Sequence, residues 1–241
     1  MYVGYLPLPR SLKTVLVVIC SFAVATMFVA AALTALMHSD PGDAIWEDQQ
    51  RHTLSGTIIT KPYPMIVAAD RGDGKAGLVL VVESGKHGSA PRLDPFEGKL
   101  MSLAGNLLHR DDNYLLKLAE GADAIKLLEQ RSPASPASVS MGRQTLRREV
   151  VDSKCYLGAM KPGIGTPHRS CAVLCLSGGI PPLFVTNDRP PRAYVISDLA
   201  GNAAPAEIAD FVAEPLEVSG EVKSLAGTLV LALEMKDVQR K

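Results

Sequence analysis

The sequence predicts a mainly β protein: an N-terminal transmembrane helix, then two tandem small β-barrel modules of the OB type, each with a short helix. A β-sandwich is the alternative. Three observations carry this. A long uncharged apolar run lies near the N-terminus, short alternating apolar runs fill the rest, and two short patterns recur in both halves of that remainder.

The apolar run is TVLVVICSFAVATMFVAAALTALM, Thr14 to Met37. At about 1.5 Å rise per residue it exceeds a roughly 30 Å hydrocarbon core. A cleaved signal peptide has an apolar region of about 7–15 residues, so an uncleaved anchor is expected despite small residues near Ala35. Arg10 and Lys13 precede the run, whereas Asp40, Asp43, Glu47 and Asp48 follow it. Positive charge stays on the cytoplasmic side, which places residues 1–13 in the cytoplasm and everything after the span outside it. The expected location is a bacterial inner membrane, crossed once, with the C-terminal part periplasmic. Cysteines there can oxidise. Cys20 lies within the span and reads as a small apolar residue.

After the span, residues 53–60, 77–84, 98–108 and 113–119 read as strands of a first module over residues 38–130. Gly, Asp and Asn at 71–77 and 109–113 supply the reversals. Residues 123–130 are expected to form a short helix. The run RSPASPASVSMG opens an expected linker over residues 131–143. A second module, residues 144–241, has strands expected at 144–152, 182–188, 192–198, 215–223 and 228–235, with a helix at 203–214. Thr53-Leu54 leads to Ile58-Ile59 and Lys61-Pro62-Tyr63, as Thr145-Leu146 leads to Val150-Val151 and Lys154-Cys155-Tyr156. Setting Gly105 against Gly220 aligns the later strands. An internal duplication of a roughly 80–90 residue module is expected, with all strands antiparallel. Closure of each sheet removes its exposed edges.

The copies differ where the second opens. Three of the four cysteines and one histidine fall between Val151 and Pro182. With Thr166 as N-cap, Pro167 at the first helical position and Gly178 as the stop, a helix of about ten residues is expected. It would put His168, Cys171 and Cys175 on one face. Cys155 reaches that face if the loop 158–165 folds back. Several readings compete. One is a disulfide from Cys155 to Cys171 or Cys175, which would leave one thiol over. Another is a metal site, zinc or copper, for which three thiols and an imidazole are suitable donors. The third is a redox-active thiol pair tuned by Lys154, His168 or Arg169. The spacing lacks paired C-x2-C knuckles, C-x-x-C-H for haem is absent, and an iron–sulfur site is poorly supplied. Asp152, Lys154 and Arg169 are supporting charges, read either as solvated loop charges or with an Asp152–Arg169 pair holding the loop onto the barrel. The turn GKHG, Gly85 to Gly88, reads as a hairpin turn, with anion binding as a weaker option.

With 25 basic and 25 acidic residues and no basic block, the chain has no electrostatic footprint for nucleic acid. Aromatics at 5 % exclude a base-stacking platform. No nucleophile elbow, zinc-protease helix, Walker loop or dinucleotide fingerprint is present, so the expected role is non-catalytic. It is that of a membrane-anchored extracytoplasmic binding or accessory subunit, expected alongside an electron-transfer or membrane enzyme complex. The rival is a periplasmic metal-binding or thiol-redox protein acting through Cys155, His168, Cys171 and Cys175.

The run D-S-K-C-Y-x-G-x-M-x-P-G, continued by H-R-x-C-A-x-x-C-x-x-G-G-I-P-P, spans Asp152 to Pro182. It resembles a segment of uncharacterised bacterial membrane-anchored proteins. The resemblance covers about thirty residues and implies a bacterial origin, with no activity attached.

Overall fold

A computed structural model describes residues 7–37, 43–129 and 136–241. The first six residues of the expected cytoplasmic segment and the first part of the expected linker lie outside these. Helix α1 runs Arg10–Met37 and buries none of its residues, as a helix built to meet lipid would. It is long and apolar enough to cross a membrane. Its threonine hydroxyls are satisfied within the helix: Thr26 and Thr34 donate to the carbonyls of Phe22 and Ala30, each at 2.8 Å, as Thr14 does to that of Arg10. That removes the cost of a bare polar group in hydrocarbon.

Residues 42–241 form one compact unit, mainly β, with two closed five-stranded barrels. The first is built from β1 (Ile45–Trp46), β2 (His52–Ile59), β3 (Met65–Ala68), β4 (Gly77–Val82), a short helix α2 (Ala90–Leu93), β5 (Leu100–Arg110), β6 (Asn113–Leu118) and β7 (Ile125–Glu129). The closed path is β5-β2-β3-β4-β6 and back to β5, with β1 and β7 added along β5. The second comprises β8 (Ser138–Asp152), helix α3 (Arg169–Ser177), β9 (Pro182–Thr186), β10 (Ala193–Ser197), β11 (Leu216–Leu225), β12 (Thr228–Ala232) and β13 (Val238–Arg240). Its path is β8-β9-β10-β12-β11 and back to β8.

One pair in each barrel departs from the expected antiparallel pattern. β4 runs parallel to β6, and β10 runs parallel to β12. A parallel neighbour needs a crossover rather than a hairpin. Here the crossover includes a short helical segment, α2 in the first barrel and a 3₁₀ turn at Ala206–Phe211 in the second.

The duplication is visible in the register. Gly105 faces His52 across β5/β2, and Gly220 faces Gln144 across β11/β8. Thr53-Leu54 and Thr145-Leu146 therefore occupy matching rungs. Both glycines are required by close approach: a Cβ would lie 2.1 Å from the Lys117 oxygen at Gly105 and 2.5 Å from the Ala232 oxygen at Gly220. At each, the long strand bends tightly enough to pair on both sides, which a side chain would prevent.

Three local expectations are corrected. Residues 123–130 are no helix: a 3₁₀ turn at Ala122–Ala124 leads into β7, whose Ile125 and Leu127 pair with Leu103 and Met101. An open strand edge outweighs the local helix pattern, because strand preference is set by what the segment pairs with. The segment 203–214 is the shorter 3₁₀ turn already named. β8 reaches back to Ser138, into the segment expected to be linker, because β11 offers it partners from Leu216 to Leu225.

The apolar core has three parts. One fills each barrel, the first around Ile58, Ile66 and Leu103, the second around Phe184, Tyr194 and Ile196. The third is a seam made by both: Tyr63, Met65, Leu80 and Leu108 from the first barrel pack with Val151, Tyr156, Leu157 and Ile180 from the second. The cysteines belong to this seam.

Candidate functional site

The site grows from the end of β8. Asp152 is fully buried there, and its carboxylate accepts the backbone N–H of Cys155 at 2.8 Å. This turns the chain out of the strand into a wide π-type turn over Cys155–Ala159. The loop then folds back, as the site requires. A Cβ at Gly163, which has a positive φ of 68°, would meet the Cys155 carbonyl at 2.7 Å, so only glycine fits. Gly165 N–H is caught by the Glu149 carboxylate at 2.7 Å.

A 3₁₀ turn at Thr166–His168 follows and runs directly into α3. Thr166 makes no capping hydrogen bond, contrary to its expected role; the turn is entered instead from Gly165, in a left-handed conformation. Gly178 ends α3 as expected, its N–H reaching the Leu174 and Cys175 carbonyls. The helical spacing presents His168, Cys171 and Cys175 to Asp152 and Cys155. The ligand atoms of Cys155, His168 and Cys171 all lie within 4.8 Å of one another, and so do those of Asp152, Cys155 and Cys175.

All four cysteines are free. Cys155 and Cys171 sulfurs lie 3.8 Å apart, well beyond the roughly 2.05 Å of a disulfide bond. Cys155 and Cys175 are buried, and Cys171 is half-buried. His168 is buried too, and its Nε2 lies 2.7 Å from the Asp152 carboxylate. Its other nitrogen, Nδ1, lies 3.1 Å from the thioether sulfur of Met160, a half-exposed residue of the loop. Asp152 does not pair with Arg169. The Arg169 guanidinium turns to Glu214, at 2.5 Å, and to the Asp210 carbonyl, bracing the outside of α3.

The first barrel supplies a group that the cysteine pattern does not announce. The turn after β4 lies on α3, with Gly88 N–H donating to the Gly178 carbonyl at 2.9 Å. It carries Lys86, whose ammonium lies 2.8 Å from Cys171 Sγ and 3.6 Å from Cys175 Sγ. GKHG is the hairpin turn expected, closed by the Glu83 N–H on the His87 carbonyl and the Val82–Gly88 bridge, and its lysine turns to the thiols. Lys154 works in the opposite direction across the seam: its buried ammonium donates to the carbonyls of Glu83 and Gly85, at 2.8 and 2.6 Å, and so holds the Lys86 turn. Burial, with the charge of Lys117, pulls the Lys154 pKa down.

The thiols are electrostatically unlike one another. Cys175 is drawn down to about 7 by the hydrogen bond from Cys155, helped by the Lys86 charge. Cys155 is pushed well above the ordinary thiol range, first by that same hydrogen bond and then by burial. The Lys86 ammonium is held above its usual value by its bond to Cys171. Of the pair Cys155/Cys175, Cys175 is the more readily ionised, and it is the one that faces a cation.

Comparison with known proteins gives no matching family model, no matching curated protein and no matching solved structure. The chemistry of the site is read from its own atoms. It gathers soft sulfur donors and one imidazole whose orientation is set by a buried carboxylate. Such a set suits a thiophilic metal ion. Missed by sequence reasoning were Lys86 and Met160; the first is 85 residues from the cysteine it touches, and the second carries no spacing signal.

Proposed function

We propose that this protein is a membrane-anchored extracytoplasmic accessory protein that binds a soft metal ion, copper or zinc, at the seam of its two barrels. Cys155, His168 and Cys171 are the ligands, with Cys175 beside them. The single observation that carries this reading is the buried Asp152–His168 contact at 2.7 Å. A carboxylate on one imidazole nitrogen fixes the ring and raises the basicity of the other, the usual support of a metal-bound histidine. A histidine needed only for packing has no use for a fully buried carboxylate.

The setting we propose is the periplasmic face of a bacterial inner membrane, beside an electron-transfer or other membrane enzyme complex. Its support is the charge step across the span, with Arg10 and Lys13 before it and acidic residues after it. We take each barrel as OB-like. Counting strands within a barrel, the order is 1-2-3-5-4 closed on 1, with a parallel 3/5 pair and a short helical segment before strand 4.

The test is metal titration of the reduced full-length chain in detergent micelles. One tightly held equivalent per chain is expected, abolished by Cys155→Ser and by His168→Ala. A second reading is thiol-disulfide exchange, favoured by the Lys86 ammonium beside Cys171 and Cys175. A protein that holds no metal when reduced, yet cycles two thiols at a mild potential, would overturn the first reading in favour of the second.

A further inference from the structure

Resting on the metal-binding reading, we infer that the ion is Cu(I), held by Cys155, Cys171, His168 and the Met160 thioether, with Lys86 paired to the Cys171 thiolate.

One feature of the site points past zinc, the thioether of Met160. Asp152 occupies His168 Nε2, so Nδ1 is the nitrogen left to ligate, and the atom beside that nitrogen is a thioether sulfur at 3.1 Å. A thioether is a poor ligand for Zn²⁺ and a good one for Cu(I), since it is soft and uncharged. Met160 is 44 % exposed, at the rim of the loop, where an apolar side chain gains little from burial. Its sulfur meets the imidazole nitrogen as a polar contact, and apolar packing does not account for that placement.

Lys86 supports either ion: its ammonium, 2.8 Å from Cys171 Sγ, pairs the charge of that sulfur as a thiolate. Burial of a charge is tolerated when it is paired. On binding, the Sγ–H bonds of Cys155 and Cys171 give way to Sγ–Cu bonds, and the protons leave to solvent. Copper enters and stays as Cu(I), so no electron is transferred. The half-exposed Met160 and Cys171 form the open side of the site, from which a partner's soft ligand can displace the thioether first.

The experiment uses the reduced full-length protein in detergent micelles. Cu(I) affinity is measured by competition with bicinchoninate, and Zn²⁺ affinity by competition with a chromogenic zinc chelator. Met160→Leu is expected to weaken Cu(I) binding about tenfold or more while leaving Zn²⁺ binding within about twofold. Lys86→Met is expected to weaken the binding of both ions, and copper X-ray absorption of the wild type to show a sulfur-rich shell with one imidazole. If Cu(I) is bound and Met160→Leu holds it as tightly as the wild type, this inference fails and the metal-binding reading survives. If the wild type binds neither ion, both fall. Circular dichroism of Met160→Leu checks folding, which its exposed position leaves intact.

Discussion

At the scale of single residues, the site depends on Asp152 more than on any cysteine. Its two carboxylate oxygens accept from the Cys155 backbone and from His168, and none of its surface meets solvent. Each buried donor that loses its acceptor costs about 1–3 kcal/mol. Asp152→Ala is therefore expected to lower unfolding stability by about 2–5 kcal/mol. Asp152→Asn keeps one acceptor and should lose roughly half as much. Denaturant unfolding of the two variants measures this, and equal stability to wild type would remove Asp152 from its structural role. His168, Cys171 and Cys175 were legible in advance, because helical spacing puts them on one face, whereas Cys155 joins them only through the fold of the loop 158–165. Asp152 was legible as a neighbour but not as the histidine's partner: charge complementarity suggested Arg169, whereas the carboxylate faces inward, to the imidazole and the Cys155 backbone N–H. Lys86 was illegible, since no local pattern reports a contact between chains of sequence so far apart.

At the scale of elements, alternation and turns marked most strands, and recurrence of Thr-Leu and of the two glycines marked the duplication. What failed is where a neighbour decides. Residues 125–129 have the look of a helix and are strand because β5 has a free edge. The parallel pairs could not be seen either, because direction is set by the crossover and not by the strand's own side chains. The most demanding junction between elements is the turn after β4 against the end of α3. A Cβ at Gly178 would sit 1.7 Å from the Lys86 carbonyl oxygen, with backbone on both sides and no flexible side chain to yield. Gly178→Ala is expected to push this turn off the helix, at a cost of about 1–3 kcal/mol. Hydrogen exchange reads it directly: the Gly88 amide, bonded to the Gly178 carbonyl in the wild type, should lose its protection. Retained protection with unchanged stability would show that the turn is not seated there.

At the scale of the whole molecule, the sequence suggests two beads on a string, and the packing of residues 42–241 makes them one body. The seam is apolar and shared, with Leu108 of the first barrel and Leu157 and Leu183 of the second all buried in one cluster. Polar ties cross it as well. Ala204 N–H donates to the Tyr63 hydroxyl at 2.8 Å, and the Arg110 guanidinium lies 4.2 Å from the Tyr156 ring while reaching the Pro162 carbonyl. Burial pushes the Tyr63 hydroxyl up to about 12, as befits a group sealed between the barrels. Fully burying one leucine is worth about 1.5–3 kcal/mol, so a handful of seam residues matches the whole net stability of a small domain. Neither barrel can keep its half of the seam dry by itself. The soluble unit should thus unfold in a single transition, with Leu108→Ala and Leu183→Ala, one in each barrel, each lowering that same transition by about 2–5 kcal/mol. A fragment ending after β7 should expose its seam face and aggregate or stay unfolded. Two resolved transitions, with each substitution moving only one, would mean that the barrels are independent and that Lys86 meets the cysteines only by loose docking. Cooperative unfolding has the reverse consequence for function: a ligand at the thiols, touching both barrels, stabilises everything from β2 to β13 together, by the mass action of binding to the folded state alone.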